Sequence, residues 1–186
     1  MKEEKKRKLI EEINIPKETK IIIDKEFVIV KGKGEVKRKL FDKRINLAIK
    51  NNRIIISSKK EKISKKEKKF IGTFKAHIKN MIEGANVPHK YILKVCSGHF
   101  PMNVSVDKNE LIVKNFLGEK VPRTMKIKEG VNVNVEGDNI TVESSDKEKA
   151  GQCAASIEKL TKRTGYDSRI FQDGIWVVSK SKKELK

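Results

Sequence analysis

Aromatic side chains are scarce in this chain: one Trp, two Tyr and seven Phe make up 5% of its 186 residues. A protein that grips a single nucleic-acid strand through many stacked bases needs more rings than this. Cysteine is nearly absent, and Cys96 and Cys153 are expected to be reduced, buried small hydrophobes. Three histidines, His77, His89 and His99, leave little material for a metal cluster or for a Ser/His/Asp arrangement. No apolar run approaches the roughly 20 residues a membrane-spanning helix needs. The start, Met1 to Lys8, lacks the apolar core of a secretion signal, so a cytosolic protein with no membrane partner is expected. Acidic residues are also in deficit, with 25 Asp and Glu against 44 Lys and Arg. A formal net charge of +19 would repel itself in a compact free monomer, which makes a polyanionic partner the natural expectation. Nucleic acid meets that need well, because each neutralised phosphate releases a condensed counterion.

What the chain does contain is an internal repeat. Ile21 to Ile23, a polar turn at Asp24-Lys25-Glu26, and Phe27 to Lys31 read as two short strands. Val104 to Val106, Asp107 to Glu110, and Leu111 to Lys114 read the same way. A glycine and a glutamate follow in both, at Gly34-Glu35 and Gly118-Glu119. Next, Ile45, Leu47 and Ile49 alternate with polar or small residues, turn at Asn51-Asn52, and return through Ile54 and Ile56. Val131, Val133 and Val135 do likewise, turning at Gly137-Asp138-Asn139 before Ile140 and Val142. Period-two alternation marks strands with one buried face, and the Asn and Gly residues supply the turns.

Both copies then change to a helical period. Ile71, Phe74, Ile78 and Met81 share one face, with Gly84 as the expected stop; Cys153, Ile157 and Leu160 share another, with Gly165 ending the run. Gly72 and Gly151 hold equivalent places near the two helix starts, where close packing on a sheet favours a missing side chain. The spacing therefore predicts an α+β fold of two tandem duplicated domains, 1–84 and 85–186. Each is expected to be an antiparallel β-sheet packed against one α-helix, with Pro88 breaking any continuation between them. The lysine-rich stretch Lys59 to Lys69 joins sheet to helix in the first copy and is either a solvated helix start or a phosphate contact.

Candidate chemistry is sparse. Cys96 and His99 form a single Cys-x-x-His pair, and without a second pair no metal is expected. Gly32-Lys33-Gly34 lacks the further glycine and the terminal Gly-Lys-Ser/Thr of a nucleotide cradle, so a turn between strands is expected there, and no cofactor. The segment from Lys162 to Val178 is different. Lys162 and Arg163 close the second helix, where they complement its dipole. Arg169, Phe171 and Trp176 then place a planar cation and two rings within eight positions, around an Asp173-Gly174 turn. Either the rings fill the core while Arg169 is solvated, or Arg169 and its basic neighbours face RNA phosphates.

The run Arg169-Ile-Phe171-Gln-Asp173-Gly174-Ile-Trp176-Val resembles the signature of the archaeal and eukaryotic branch of the large-subunit ribosomal protein six family, whose eukaryotic member is called large-subunit protein nine. Trp176 stands where Tyr is commoner. Val30 to Glu35 resembles that family's first-domain turn, Asn80 to Gly84 its helix end, Ser97 to Pro101 the element opening its second domain, and Asp146 to Ala155 its second helix start. The matches span roughly residues 10 to 179. The resemblance implies a non-enzymatic structural constituent of the large ribosomal subunit in the cytoplasm. It implies binding to large-subunit rRNA near the stalk base and the translation-factor-binding region, mostly through the second domain. Neighbouring ribosomal proteins, and translation factors close by, are the other implied partners; no small-molecule substrate is. By motif it carries over Arg169, Asp173 and Gly174 as rRNA-binding residues. Charge and proximity add Lys162, Arg163, His99, Lys180, Lys182 and Lys183. A free-standing RNA-binding protein or RNA chaperone is the alternative, although neither aromatic pairs on adjacent strands nor a Gly-x-x-Gly clamp is present.

Overall fold

The computed structural model describes residues 10–24, 26–40, 42–60, 64–167, 169–181 and 183–184, the last two as backbone only. Expectations placed on Met1 to Lys8, on Lys25 and on Lys182, and on the side chain of Lys183, lie outside the described residues. The chain divides into two compact units, Met1–Val87 and Pro88–Lys186.

The first unit opens with β1 (Ile10–Asn14) and continues into a meander of β2 (Lys20–Asp24), β3 (Phe27–Lys31) and β4 (Glu35–Lys39). A hairpin of β5 (Ile45–Lys50) and β6 (Arg53–Ser58) follows, then α1 (Lys65–Asn86). Asn51 and Asn52 both take positive φ, 48° and 59°, the backbone a two-residue hairpin turn demands and that Asn tolerates. The strands form two antiparallel three-stranded sheets, β2-β3-β4 and β1-β6-β5. This differs from the single sheet expected for each domain. β1, from the start of the unit, takes the free edge of β6, so the hairpin joins it and not the meander. Val28, Val30, Ile54 and Ile56 bury fully with Ile71, Phe74 and Ile78 of α1 in one core.

The second unit repeats the plan with β7 (His89–Cys96), the meander β8 (Asn103–Asp107), β9 (Glu110–Lys114) and β10 (Arg123–Lys126), the hairpin β11 (Asn132–Glu136) and β12 (Asn139–Ser144), and α2 (Lys147–Leu160). Its core gathers Leu93, Leu111, Ile140, Val142, Ile157 and Ile175. It then adds β13 (Gly174–Lys180) and β14 (Lys183–Glu184), giving a sheet of order β11-β12-β7-β13-β14. β13 pairs with the edge of β7 that β12 leaves open. On the matching edge of β1, no strand pairs among the described residues.

Helix ends depart from the sequence reading in instructive ways. α1 starts at a capping box, in which the buried Glu67 carboxylate accepts from the Ser64 N–H at 2.7 Å and from its hydroxyl. The Ser64 hydroxyl bond, followed by its N–H bond, holds the Glu67 carboxyl below its ordinary range. The helix does not stop at Gly84. It runs on to Asn86, and its end is met from outside: the Gly34 N–H of the Gly32–Gly34 turn donates to Ala85 O at 2.9 Å, and the Thr19 hydroxyl donates to the Asn86 side-chain Oδ1 at 3.3 Å. Gly84 is instead buried inside the last turn. α2 ends at Leu160, well before Gly165, whose φ of 86° turns the loop beyond. Gly151 is close-packed as expected, since a Cβ there would lie 3.2 Å from the Tyr91 hydroxyl, but Gly72 has open space around it.

Lys59, Lys60, Lys65, Lys66, Lys68 and Lys69 are all exposed. Cys153 is buried and Cys96 only half-buried, both as free thiols. Cys96 ends β7 opposite Gly174, which has no side chain to cover it. No helix among the described residues is long and apolar enough to cross a membrane.

A Cβ at Gly32 would sit 2.9 Å from the Ala85 carbonyl oxygen, a backbone atom with little room to move. Gly32→Ala is therefore expected to destabilise the first unit by about 1–3 kcal/mol, the usual cost of overpacking. Thermal denaturation checks it, and an unchanged Tm would mean that the turn is not seated on the helix end.

Candidate nucleic-acid interface

The segment between α2 and β13 is bolted down at its far end. Thr161, which caps α2, is buried, and its hydroxyl accepts the Ile175 N–H at 2.9 Å. On the other side, Asp173 reaches the loop that leaves β7. Its carboxylate accepts the Gly98 N–H at 2.6 Å, the His99 N–H at 3.0 Å, and a bond with the His99 imidazole Nδ1. The Asp173 side chain is only 4% exposed. Burial alone would raise its carboxyl, but the backbone and ring bonds from His99 and the backbone bond from Gly98 together hold it below its ordinary range. Gly174 follows at φ 150°, a conformation L side chains rarely adopt, and a Cβ there would lie 3.3 Å from Thr161 Oγ1. Asp173 and Gly174 thus act within the protein: one clamps the loop 98–99, the other lets the chain enter β13.

What these anchors hold up is an exposed, basic and aromatic surface. The Ile170 and Phe171 N–H groups donate to Asp167 O at 3.1 and 2.9 Å, winding a short turn. The Asp167 carboxylate takes two bonds from the Arg169 guanidinium, at 3.1 and 2.8 Å, and the Arg169 side chain is 88% exposed. Phe171 stacks on the His99 ring at 5.4 Å and meets Tyr166 edge-on at 5.2 Å. Arg163 lies 5.0 Å over the Tyr166 ring and pairs with Glu119 at 3.1 Å. Glu119 also binds Arg123 at 2.7 Å, and its carboxyl is held low by Arg123 first and by Arg163 as well. Neither Phe171 nor Trp176 is a core residue; both are about two-fifths exposed. The core reading of these rings is therefore corrected: Ile175 and Val177, the alternate positions of β13, supply its apolar packing.

The expected site residues fall into groups. His99, Asp173, Gly174, Arg163 and Arg169 belong to one neighbourhood, and the exposed Lys162 follows the end of α2 directly. The exposed Lys180 sits at the far end of β13, six residues and roughly 20 Å of strand from Gly174. Lys183 pairs with it in register. Sequence reasoning missed Glu119, Arg123 and Phe116, over whose ring Arg123 lies at 4.5 Å. The four-residue spacing of Glu119 and Arg123 was the available signal for that pair, whereas nothing local marks their approach to Arg163. Among the described residues no three His, Cys, Asp or Glu gather as a metal site would require.

Two predictions test the anchors. Because the Asp173 carboxyl is depressed in the folded chain, its stabilisation is complete well above the unfolded value of about 3.9 and drains away as pH falls through the lower folded value. Asp173→Asn should lower stability at neutral pH, and its acid-unfolding curve should meet the parent's as pH falls through the depressed folded value; curves offset equally at every pH would rule out the clamp. Gly174→Val should cost about 1–3 kcal/mol of strain in a thermal melt, and a parental Tm would show the positive φ to be dispensable.

Comparisons with known proteins place these features in a family. The family model for ribosomal protein L6 matches residues 100–174. The large ribosomal subunit protein uL6 of Methanococcus vannielii is 42% identical over 176 residues, covering 94% of this chain and 96% of that one. The uL6 protein of Methanobrevibacter smithii is 42% identical over 171 residues, covering 91% and 95%. That of Nanoarchaeum equitans is 42% identical over 183 residues, covering 94% of each chain. With this identity sustained along nearly the whole length of both partners, the chain belongs to the large ribosomal subunit protein uL6 family.

Proposed function

We propose that this protein is a structural constituent of the large ribosomal subunit that binds large-subunit rRNA near the stalk base and the translation-factor-binding region. The observation that carries the reading is the exposed stretch formed by residues 162–167 and 169–172, where Arg163 and Arg169 are presented to solvent beside Tyr166, Ile170 and Phe171. Acids of the protein hold both guanidiniums in place, so little side-chain entropy remains to be lost when phosphates arrive. Phosphate contacts of this kind position a protein on folded RNA and supply most of its affinity. Lys162, Lys180 and Lys183 extend the same charge along the second unit. Asp173, Gly174 and the His99 backbone serve the interface by fixing its shape. The role is to hold RNA helices in place and includes no catalytic step.

The test is binding of the full chain to large-subunit rRNA fragments across a salt series, with transfer RNA as competitor. Tight, competitor-resistant binding to one fragment, and co-sedimentation of the tagged chain with large subunits, is the expected result. Binding that transfer RNA displaces as readily as any fragment would overturn the ribosomal reading in favour of a free-standing RNA-binding protein. Replacing both Arg163 and Arg169 with Ala should leave the fold intact by circular dichroism and reduce the log–log salt slope by about 0.7–0.9 for each phosphate no longer neutralised. An unchanged slope would remove these two residues from the interface.

A further inference from the structure

We infer that the groove between the C-terminal end of α2 and the start of β13 is a receptacle for one unpaired base of the bound RNA, with Trp176 as its stacking platform. The inference rests on the RNA-binding reading above and adds a site to it. The groove is an open cavity of about 350 Å³, within the range of pockets that hold small molecules. Its lining is apolar at the fully buried Ile175, which forms the floor, and at the exposed Ala155 on α2. Lys159 and Lys162, both exposed, stand at its rim, and Trp176 forms a wall.

Trp176 is held there in a defined pose. Its indole N–H donates to Gln172 O at 2.9 Å, yet the side chain remains 40% exposed. A large ring left in water, with its polar edge already satisfied, has a free apolar surface and no unmet hydrogen bond of its own. A flat heteroaromatic group answers that surface, and each RNA base carries one. Two lysines at the rim complement the phosphates on either side of an extruded nucleotide, whereas an apolar peptide would leave both cations without a partner. Glu158 lines the groove as well. One of its carboxylate oxygens accepts the Val177 N–H at 3.4 Å, and the carboxylate disfavours phosphate at the floor while welcoming an exocyclic amine. The chemistry points to a base inside the groove and the backbone outside.

Trp176 is the chain's single tryptophan, so its emission reports on this groove alone. The experiment titrates the full chain with large-subunit rRNA and follows tryptophan emission and acrylamide access together with filter binding. The expected result is a saturable change in emission, with shielding from acrylamide, that tracks the binding curve. Trp176→Ala should weaken binding about 5- to 150-fold, the range of one stacked base, while Trp176→Phe stays close to the parent. Ala155→Phe fills the groove from its exposed side, leaves Trp176 in place, and should weaken binding likewise. Parent rRNA binding with unchanged emission and unchanged acrylamide access would overturn the groove and leave the RNA-binding reading standing, as would full affinity in a folded Trp176→Ala or Ala155→Phe variant. Absence of rRNA binding by the parent would overturn both.

Discussion

A single buried carboxylate governs the second unit's outward face. Asp173, the residue before β13, ties itself to the loop leaving β7 through three hydrogen bonds, two of them from backbone N–H groups. With that tie made, Gly174 turns the chain into the sheet, and Ile175 is caught by Thr161 at the end of α2. The carboxylate thus joins a loop, a strand and, two residues on, a helix terminus. The His99 ring, oriented by the same carboxylate, becomes the surface on which Phe171 stacks. A side chain almost closed to solvent therefore sets the shape of one that is open to it.

The same logic organises the surface charge. The cations around the segment 162–172 are braced by acids and rings: Arg169 by Asp167, Arg163 by Glu119 and Tyr166, and Arg123 by Glu119, Phe116 and the Leu160 carbonyl at 2.6 Å. Exposed ion pairs contribute little to stability on their own. What they do here is orient the guanidinium forks on the surface that the proposed function assigns to RNA phosphates. In the first unit, the Gly32–Gly34 turn plays a comparable part, its Gly34 N–H donating to the Ala85 carbonyl at the end of α1 beyond Gly84.

The duplicated architecture was readable in the sequence because its causes are local. Alternation such as Val131, Val133, Val135 and turns such as Asn51-Asn52 act over a few residues, and the helical faces through Ile71, Phe74 and Ile78 or Cys153 and Ile157 act over a few turns. What escaped depends on distant partners. Asp173 looked like half of a turn because the two N–H groups it binds lie more than 70 positions earlier. Gly84 looked like a stop because the turn that receives the helix end lies about 50 positions upstream. Phe171 and Trp176 could be read either as core or as part of an RNA-facing surface; the apolar alternation of β13 in fact passes through Ile175 and Val177. Of the candidate site, the basic residues and the Arg-x-Phe-x-Asp-Gly motif were legible, while the ring stack and the arginine–glutamate network were not.

The edge of β7 that receives β13 has a counterpart in the first unit, on β1, where no strand pairs among the described residues; the segment following α1 is β7 itself, the opening strand of the next unit. Head-to-tail copying of a motif that begins with a strand and ends with a helix builds in this asymmetry, since only the last copy has a tail to fold back. The terminal repeat is therefore where new sequence can be grafted onto the old plan without disturbing its neighbour. In the first repeat, the corresponding edge strand instead carries Glu11 and Glu12, each engaged by a cation of its own unit, Lys75 and Arg53. Charges of that kind keep an uncovered edge from recruiting strands at random. Among the described residues, the second unit thus extends this edge with β13, while the first lines it with ion pairs.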